Sequence, residues 1–260
     1  MERRMTFDLD PARYDRHRPG YAADLYREIF RYSGLKSDMK ALEIGIGTGL
    51  ATLPILETGC EVVAVEPGPN LAAYVRAKFE GHPNFRVVST DFEKYEPEER
   101  FDLIYSATAF HWIPEEVGYP KVKRLLKPGG AAALFWNRPY AGCPGDPMYD
   151  EIQGIYRKYR LDQVESERFS ERDCRKVLDA LERYGFMDVE CQLFHRTRTL
   201  SAADYAGLLK TYSDHQTAGE GEARGLIPEI EAAITAHGGE ITIHDTMDLY
   251  LARSKPELIA

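Results

Sequence analysis

The chain has 260 residues, 33 Lys and Arg against 42 Asp and Glu, a net charge of -9, and 43% hydrophobic and 11% aromatic residues. This is the make-up of an ordinary globular protein of one large or two small domains, and it excludes disordered, collagen-like and disulfide-scaffold classes. The acid excess would repel a phosphate backbone, which argues against nucleic acid as a partner, and no apolar run nears the ~18 residues of a membrane span.

Residues 1–37 read as a leader with a helix near 20–32; positions 1–36 hold eight basic residues against six acids, a mildly positive segment on an acidic chain. Its start runs into Asp8, Asp10 and Arg13 rather than an apolar signal segment, so a cytoplasmic location is expected. From 39 to 137 short apolar runs alternate with helical patterns. The runs Met39–Ile44, Glu61–Val65, Phe85–Ser89, Phe101–Ala107 and Ala131–Trp136 suit strands buried on both faces, as parallel strands are. Between them Gly49–Thr58, Asn70–Glu80 and Glu115–Leu126 suit covering helices; Leu71, Tyr74, Val75 and Phe79 make one apolar stripe. Pro54 falls inside the first, which predicts a kink or a late start.

Residues 138–169 interrupt this rhythm. Pro139, Gly142, Pro144, Gly145 and Pro147 precede an apolar helical stripe of Met148, Ile152, Ile155, Tyr156 and Tyr159, with Arg157, Lys158 and Arg160 at polar positions, as expected of an insertion over a crevice. Beyond a helix near 170–185, Met187–Thr199 and Ile241–Leu251 read as two last strands, separated by helices near 201–213 and 223–236. Right-handed crossovers then predict an α/β, doubly wound, mostly parallel seven-stranded sheet whose ligand crevice lies outside the carboxyl ends of the strands. Cys60, Cys143, Cys174 and Cys191 lie 83, 31 and 17 residues apart with no C-x-x-C pair, so neither a zinc cage nor a disulfide framework is expected, and no metal.

The sharpest motif is Ala41-Leu42-Glu43-Ile44-Gly45-Ile46-Gly47-Thr48-Gly49, a strand running into a glycine-rich turn. Glycines let a backbone approach a ligand closely and adopt positive φ. Dinucleotide enzymes use G-x-G-x-x-G in the same place, but that pattern needs glycine at 50 or 52, where Leu50 and Thr52 stand. Val63-Ala64-Val65-Glu66-Pro67 ends the second strand with an acid able to accept from vicinal ribose hydroxyls, a spacing a nicotinamide enzyme would share.

The E-x-G-x-G-x-G turn resembles motif I of the class I S-adenosylmethionine-dependent methyltransferases. Ser89-Thr90-Asp91-Phe92, the strand Phe101–Ala107 with its loop Thr108-Ala109-Phe110-His111-Trp112, and Leu125-Leu126-Lys127-Pro128-Gly129-Gly130 are similar to that family's later segments, in the right order. The resemblance implies a Rossmann-like methyltransferase fold that binds S-adenosylmethionine and releases S-adenosylhomocysteine. It also implies cofactor contacts from Glu43, which would help hold the ammonium, Gly45, Gly47 and Gly49 around the methionine end, Glu66 and Pro67 at the ribose, Asp91 and the Phe92 N–H at the adenine, and Ala107 beneath the reactive methyl. The leader Arg13-Tyr14-Asp15-Arg16-His17-Arg18-Pro19-Gly20-Tyr21 looks like the small-molecule branch called type 11, which includes trans-aconitate and quinone-ring methyltransferases.

His111 is the candidate general base, or else it packs with Trp112 on the next helix. Tyr14, Arg18, Trp112, Asn137, Arg138 and Tyr140 are candidate acceptor contacts, the two arginines as grips for a carboxylate. Tyr14 and Arg18 read equally well as surface residues of a helix start. The organisation expected is a leader at 1–37 and a methyltransferase domain at 38–260 with 138–169 as acceptor-site insertion, working as a monomer or homodimer on a small molecule bearing a carboxylate or hydroxyl. RNA or protein methylation, and cofactor binding without turnover, stand as alternatives.

Overall fold

A computed structural model describes residues 3–141, 145–159, 168–213, 215 and 225–256. The chain divides into two compact units. The larger comprises Gly20–Asn137, Ser170–Phe194 and Met247–Ala260; the smaller comprises Met1–Pro19, Arg138–Phe169 and His195–Thr246. Residues 1–37 thus fall partly in each unit, with the boundary after Pro19.

Seven strands form one sheet in the order β3-β2-β1-β4-β5-β7-β6. They are β1 (Lys40–Ile44), β2 (Glu61–Glu66), β3 (Phe85–Ser89), β4 (Phe101–Ala107), β5 (Leu126–Ala141), β6 (Met187–Ser201) and β7 (Glu240–Arg253). The first five pair in parallel: Ile44 lies beside Val65, Glu66 beside Ser89, Glu43 beside Tyr105 and Ala107 beside Phe135. Parallel strands covered on both faces need apolar residues at successive positions, and Val62, Val63, Ala64 and Val65 are all buried.

In the larger unit α2 (Ala23–Ser33) buries Leu25, Tyr26, Ile29 and Tyr32 on one face. α4 (Pro69–Lys78) buries Leu71, Ala72 and Val75, and α5 (Glu115–Leu125) and α7 (Arg175–Arg183) complete its longer helices. The helix expected at Gly49–Thr58 shrinks to α3 (Leu53–Leu56), because Pro54, which cannot donate to a preceding turn, is accepted only in a first turn. The Lys127–Gly130 segment, which precedes the fifth strand expected from Ala131, is a bulge inside β5. Phe101 pairs with Leu126 while Leu103 pairs with Ala131, so the β5 side carries the extra residues.

The smaller unit has its own core. α6 (Pro147–Lys158), α8 (Ala202–Leu209) and α9 (Leu226–Ala236) pack Ile152, Tyr205, Leu208, Leu226, Ile230 and Ile234 against Ile241 and Ile243. α6 starts where the Asp146 carboxylate accepts from the Met148 and Tyr149 N–H groups. Gly142, Cys143, Pro144, Arg160 and the region before Gly225 lie outside the described residues. α1 (Pro11–His17), absent from the sequence expectations, has Asp10 as its cap and Pro11 in its first turn. It lies so close to α8 that a Cβ on Gly207 would fall 2.3 Å from the His17 ring. Asp245 is fully buried, and the guanidinium groups of Arg196 and Arg198 both donate to its carboxylate.

Among the described residues no helix is long and apolar enough to cross a membrane, and no group of His, Cys, Asp and Glu is placed to hold a metal ion.

Candidate active site

Parallel pairing brings the residues that follow β1 to β4, Gly45, Pro67, Asp91 and Thr108, to the carboxyl end of the sheet in the larger unit, together with Asn137 of β5, two residues past its last pairing with β4. The glycine loop leaves β1 through three left-handed residues, Gly45 (φ 69), Gly47 (φ 57) and Gly49 (φ 75). They are glycine for different reasons. A Cβ on Gly45 would stand 2.6 Å from that of Ala109, so the loop presses on the residue after Thr108, whereas a Cβ on Gly47 would meet nothing within 4 Å. The loop therefore has open space above Gly47, the fit expected of a backbone cradle for an extended ligand.

Glu66 ties this loop to the neighbouring strand. Its Oε2 accepts from the Gly47 N–H and its Oε1 from the Gly68 N–H, both at 2.9 Å, and the Gly45 N–H donates to the Val65 carbonyl. A carboxylate has about four lone-pair sites, so this anchoring is compatible with accepting further hydroxyl donors. Pro67 follows, partly exposed. Thr48 Oγ1, inside the loop, and Asn137 Oδ1, in β5, are buried with no hydrogen-bond partner among the described residues. Buried polar atoms of that kind call for a partner.

Glu43 stands differently from what the resemblance implies. It is buried beneath the loop, and its Oε2 accepts from the hydroxyls of Thr52 at 2.7 Å and Tyr105 at 2.8 Å. Burial is the main reason its carboxyl rises to about 7; the two hydroxyl donors pull it back and the nearby Glu66 charge pushes it further up. Its direct work is to fix the base of the loop.

Asp91 accepts from the Lys94 ammonium one helical turn on, at 2.6 Å, and Phe92 has its ring buried, leaving its backbone for any ligand contact. Ala107 closes β4, packed against the core. Thr108 then takes a left-handed conformation (φ 54), rare for a branched residue. Its hydroxyl meets the Tyr21 hydroxyl at 2.7 Å and accepts from the Asn137 N–H at 3.3 Å. Tyr21 and Thr108 were missed as site residues; the one legible signal was a Thr directly after a buried parallel strand.

His111 lies exposed in the short 3-10 turn Phe110–Trp112, and its Nδ1 accepts from the indole N–H of Trp136 at 3.0 Å. An indole nitrogen can only donate, so the neutral ring carries its proton on Nε2. Against the general-base expectation, the basic nitrogen of that neutral ring is engaged by Trp136 and Nε2 is its donor. Trp112 stands beside His111, ring centroids 4.9 Å apart.

The remaining candidates belong to the smaller unit. Arg18 donates from Nε to the Thr211 hydroxyl at 2.8 Å and from a terminal nitrogen to the Thr211 carbonyl at 3.0 Å, and it stacks over Tyr212 at 4.2 Å. Tyr14 is edge-on to Phe7 and lies under the same guanidinium. The carboxylate grip expected of Arg18 is corrected: its fork is used in joining the end of α1 to the end of α8. Arg138 lies over the Phe169 ring, and Tyr140 is partly exposed.

Comparison with known proteins accords with this geometry. Residues 41–130 match the family described as "Methyltransferase domain". An uncharacterized methyltransferase of Mycobacterium tuberculosis (strain H37Rv) is 28% identical over 160 residues, covering 57% of this chain and 63% of that protein. Malonyl-[acyl-carrier protein] O-methyltransferase 2 of Ilyobacter polytropus is 31% identical over 142 residues, covering 53% and 52%. The chain thus spans between half and two thirds of the length of these relatives. Among solved structures, a candidate type II methyltransferase from Anaeromyxobacter dehalogenans superposes with a TM-score of 0.66 at 20% identity, over 92% of this chain and 99% of that one. Phosphoethanolamine N-methyltransferase 2 of Haemonchus contortus, in complex with phosphomonomethylethanolamine and S-adenosylhomocysteine, superposes with a TM-score of 0.56 at 16% identity, over 96% and 58%. The seven-stranded order is the fold shared with these structures, and residues 41–130, which hold the glycine loop and the acid after β2, are the segment that matches a methyltransferase domain.

Proposed function

We propose that the protein is an S-adenosylmethionine-dependent methyltransferase acting on a small molecule that bears a carboxylate or a hydroxyl. The observation that carries the reading is the bond from the Gly47 N–H to Glu66, which joins the open glycine loop and the acid after β2 into one cradle. In this reading Gly45 to Gly49 face the amino-acid end of the cofactor, Glu66 accepts from the ribose hydroxyls, and Asp91 with the Phe92 N–H meets the adenine. The bound cofactor supplies a methyl group on a sulfonium that is already a good leaving group.

The chain's own residues then have to orient the acceptor in line with that methyl and exclude water. Thr108, directly after β4, with its partners Tyr21 and Asn137 forms a polar rim suited to positioning, and the Nε2–H of His111 suits an oxygen acceptor by hydrogen-bonding to it. An ionised carboxylate needs no base, which agrees with a histidine set as a donor. The Ilyobacter relative's O-methyl transfer supports an oxygen acceptor. We assign acceptor choice to segments outside the family match, with Arg138 as a candidate contact for an anionic group.

Calorimetry with S-adenosylhomocysteine and with NAD tests the cofactor: micromolar binding of the first and none of the second is expected, and the reverse would overturn the reading. Transfer of a labelled methyl group into a metabolite extract, with mass identification of the product, tests the acceptor class. Label found only in RNA or protein would exclude the small-molecule reading.

A further inference from the structure

Cys174 closes the 3-10 turn Glu171–Cys174 that leads into α7, and Cys191 is the fifth residue of β6. Seventeen residues apart in sequence, their sulfurs stand 2.6 Å apart in the larger unit. A bonded pair lies at about 2.05 Å. Both are free thiols, yet they stand within reach of each other.

The surroundings fix the approach. The Asp173 carboxylate accepts from both the N–H and the hydroxyl of Ser170, at 2.8 and 2.9 Å, which locks the turn presenting Cys174. β6 is the outermost strand of the sheet, with β7 as its neighbour. Cys174 is buried, whereas Cys191 is partly exposed. Burial, then the neighbouring thiol, pushes the Cys191 thiol up, so it reacts slowly at neutral pH and faster in alkali.

We propose that Cys174 and Cys191 are a redox modification site that closes to a reversible disulfide by exchange with a small-molecule disulfide such as oxidised glutathione. Cys191, the accessible thiol, loses its proton to solvent, and the thiolate attacks one sulfur of the oxidant. A mixed disulfide forms and one small thiol leaves, taking up a proton. Cys174 then deprotonates and attacks the Cys191 sulfur, forming the internal bond and expelling the second small thiol. Two protein thiols are oxidised to one disulfide, and the oxidant disulfide is reduced to two thiols. The bond ties the first turn of α7 to β6 and closes a short loop in the unfolded chain, which raises stability.

The test uses the full chain, incubated with oxidised glutathione to completion, quenched by alkylation and mapped by peptide mass spectrometry without reduction. The expected product is a cross-linked peptide joining Cys174 to Cys191, two hydrogens lighter than its parts, which dithiothreitol returns to free thiols. Tm should rise by roughly 5–10 °C on oxidation, and the rise should vanish in Cys174→Ser and Cys191→Ser. Alkylation of both cysteines after oxidation, stable glutathione adducts on either, or a bond from either to Cys60 or Cys143 would overturn the proposal.

Discussion

The Trp136 indole donates to Nδ1 of His111 across 3.0 Å, joining β5 to the turn after β4 within the larger unit. Because the donor has no alternative role, the bond decides which nitrogen of the imidazole keeps its proton. Replacing Trp136 by Phe should lower kcat/KM for methyl transfer about three- to tenfold, the scale of one hydrogen bond. His111→Gln, whose amide still donates, should retain more activity than His111→Ala. Equal losses in the two variants, measured at saturating cofactor, would remove the donor assignment.

Glu43 makes the stability of the larger unit depend on pH. Its folded carboxyl lies at about 7 against an ordinary 4.5, so the folded chain holds the proton more tightly than the unfolded chain. The contribution is fully present below about 4.5 and is lost as pH rises through 7, amounting to roughly 3 kcal/mol at most. Glu43→Gln should flatten the fall in unfolding free energy between pH 5 and 8. Denaturant titrations across that range provide the check; parallel curves for the two proteins would contradict the buried carboxyl as its source.

The loop glycines should separate stability from binding. Gly47→Ala adds a methyl into open space at positive φ and should cost about 1–2 kcal/mol, with a larger proportional loss of S-adenosylhomocysteine affinity. Gly45→Ala adds a clash with Ala109 and should cost about 2–4 kcal/mol. Ala109→Gly in the same chain should recover part of that loss but not the loss at Gly47. Thermal melts paired with calorimetry measure both.

Arg18 should behave as a brace. Arg18→Ala removes the two donors to Thr211 and the stacking on Tyr212, and should lower stability by about 1–3 kcal/mol. Lysine should not restore it, because a single ammonium cannot reproduce the fork. KM values for anionic and neutral acceptors should move together; a selective rise for anions would return Arg18 to a substrate role.

The sheet was legible because parallel strands must be apolar at consecutive positions, and Val62–Val65 and Leu103–Tyr105 display this. The glycine loop was legible because positive φ has few solutions in residue type. Less visible were features fixed by distant partners. Nothing near Arg18 in sequence names Thr211, 193 residues away, and nothing near His111 names Trp136. α1 was missed although Asp10-Pro11 is a good helix start, because its apolar stripe is short and its basic residues read as a surface. The division of the leader at Pro19 has no compositional mark either. The nearness of Cys174 and Cys191 was not legible, since spacing in sequence says little about two residues on separate elements.

Thr108 has one more implication. A branched residue held at φ 54 costs the fold free energy that glycine would not, so a search for heat-resistant variants should recover Thr108→Gly. That gain would come with the Tyr21 hydroxyl and the Asn137 N–H both deprived of their shared oxygen. Robustness and a formed rim are therefore opposed at a single position, and a stabilised variant with diminished turnover would trace the conflict to one hydroxyl.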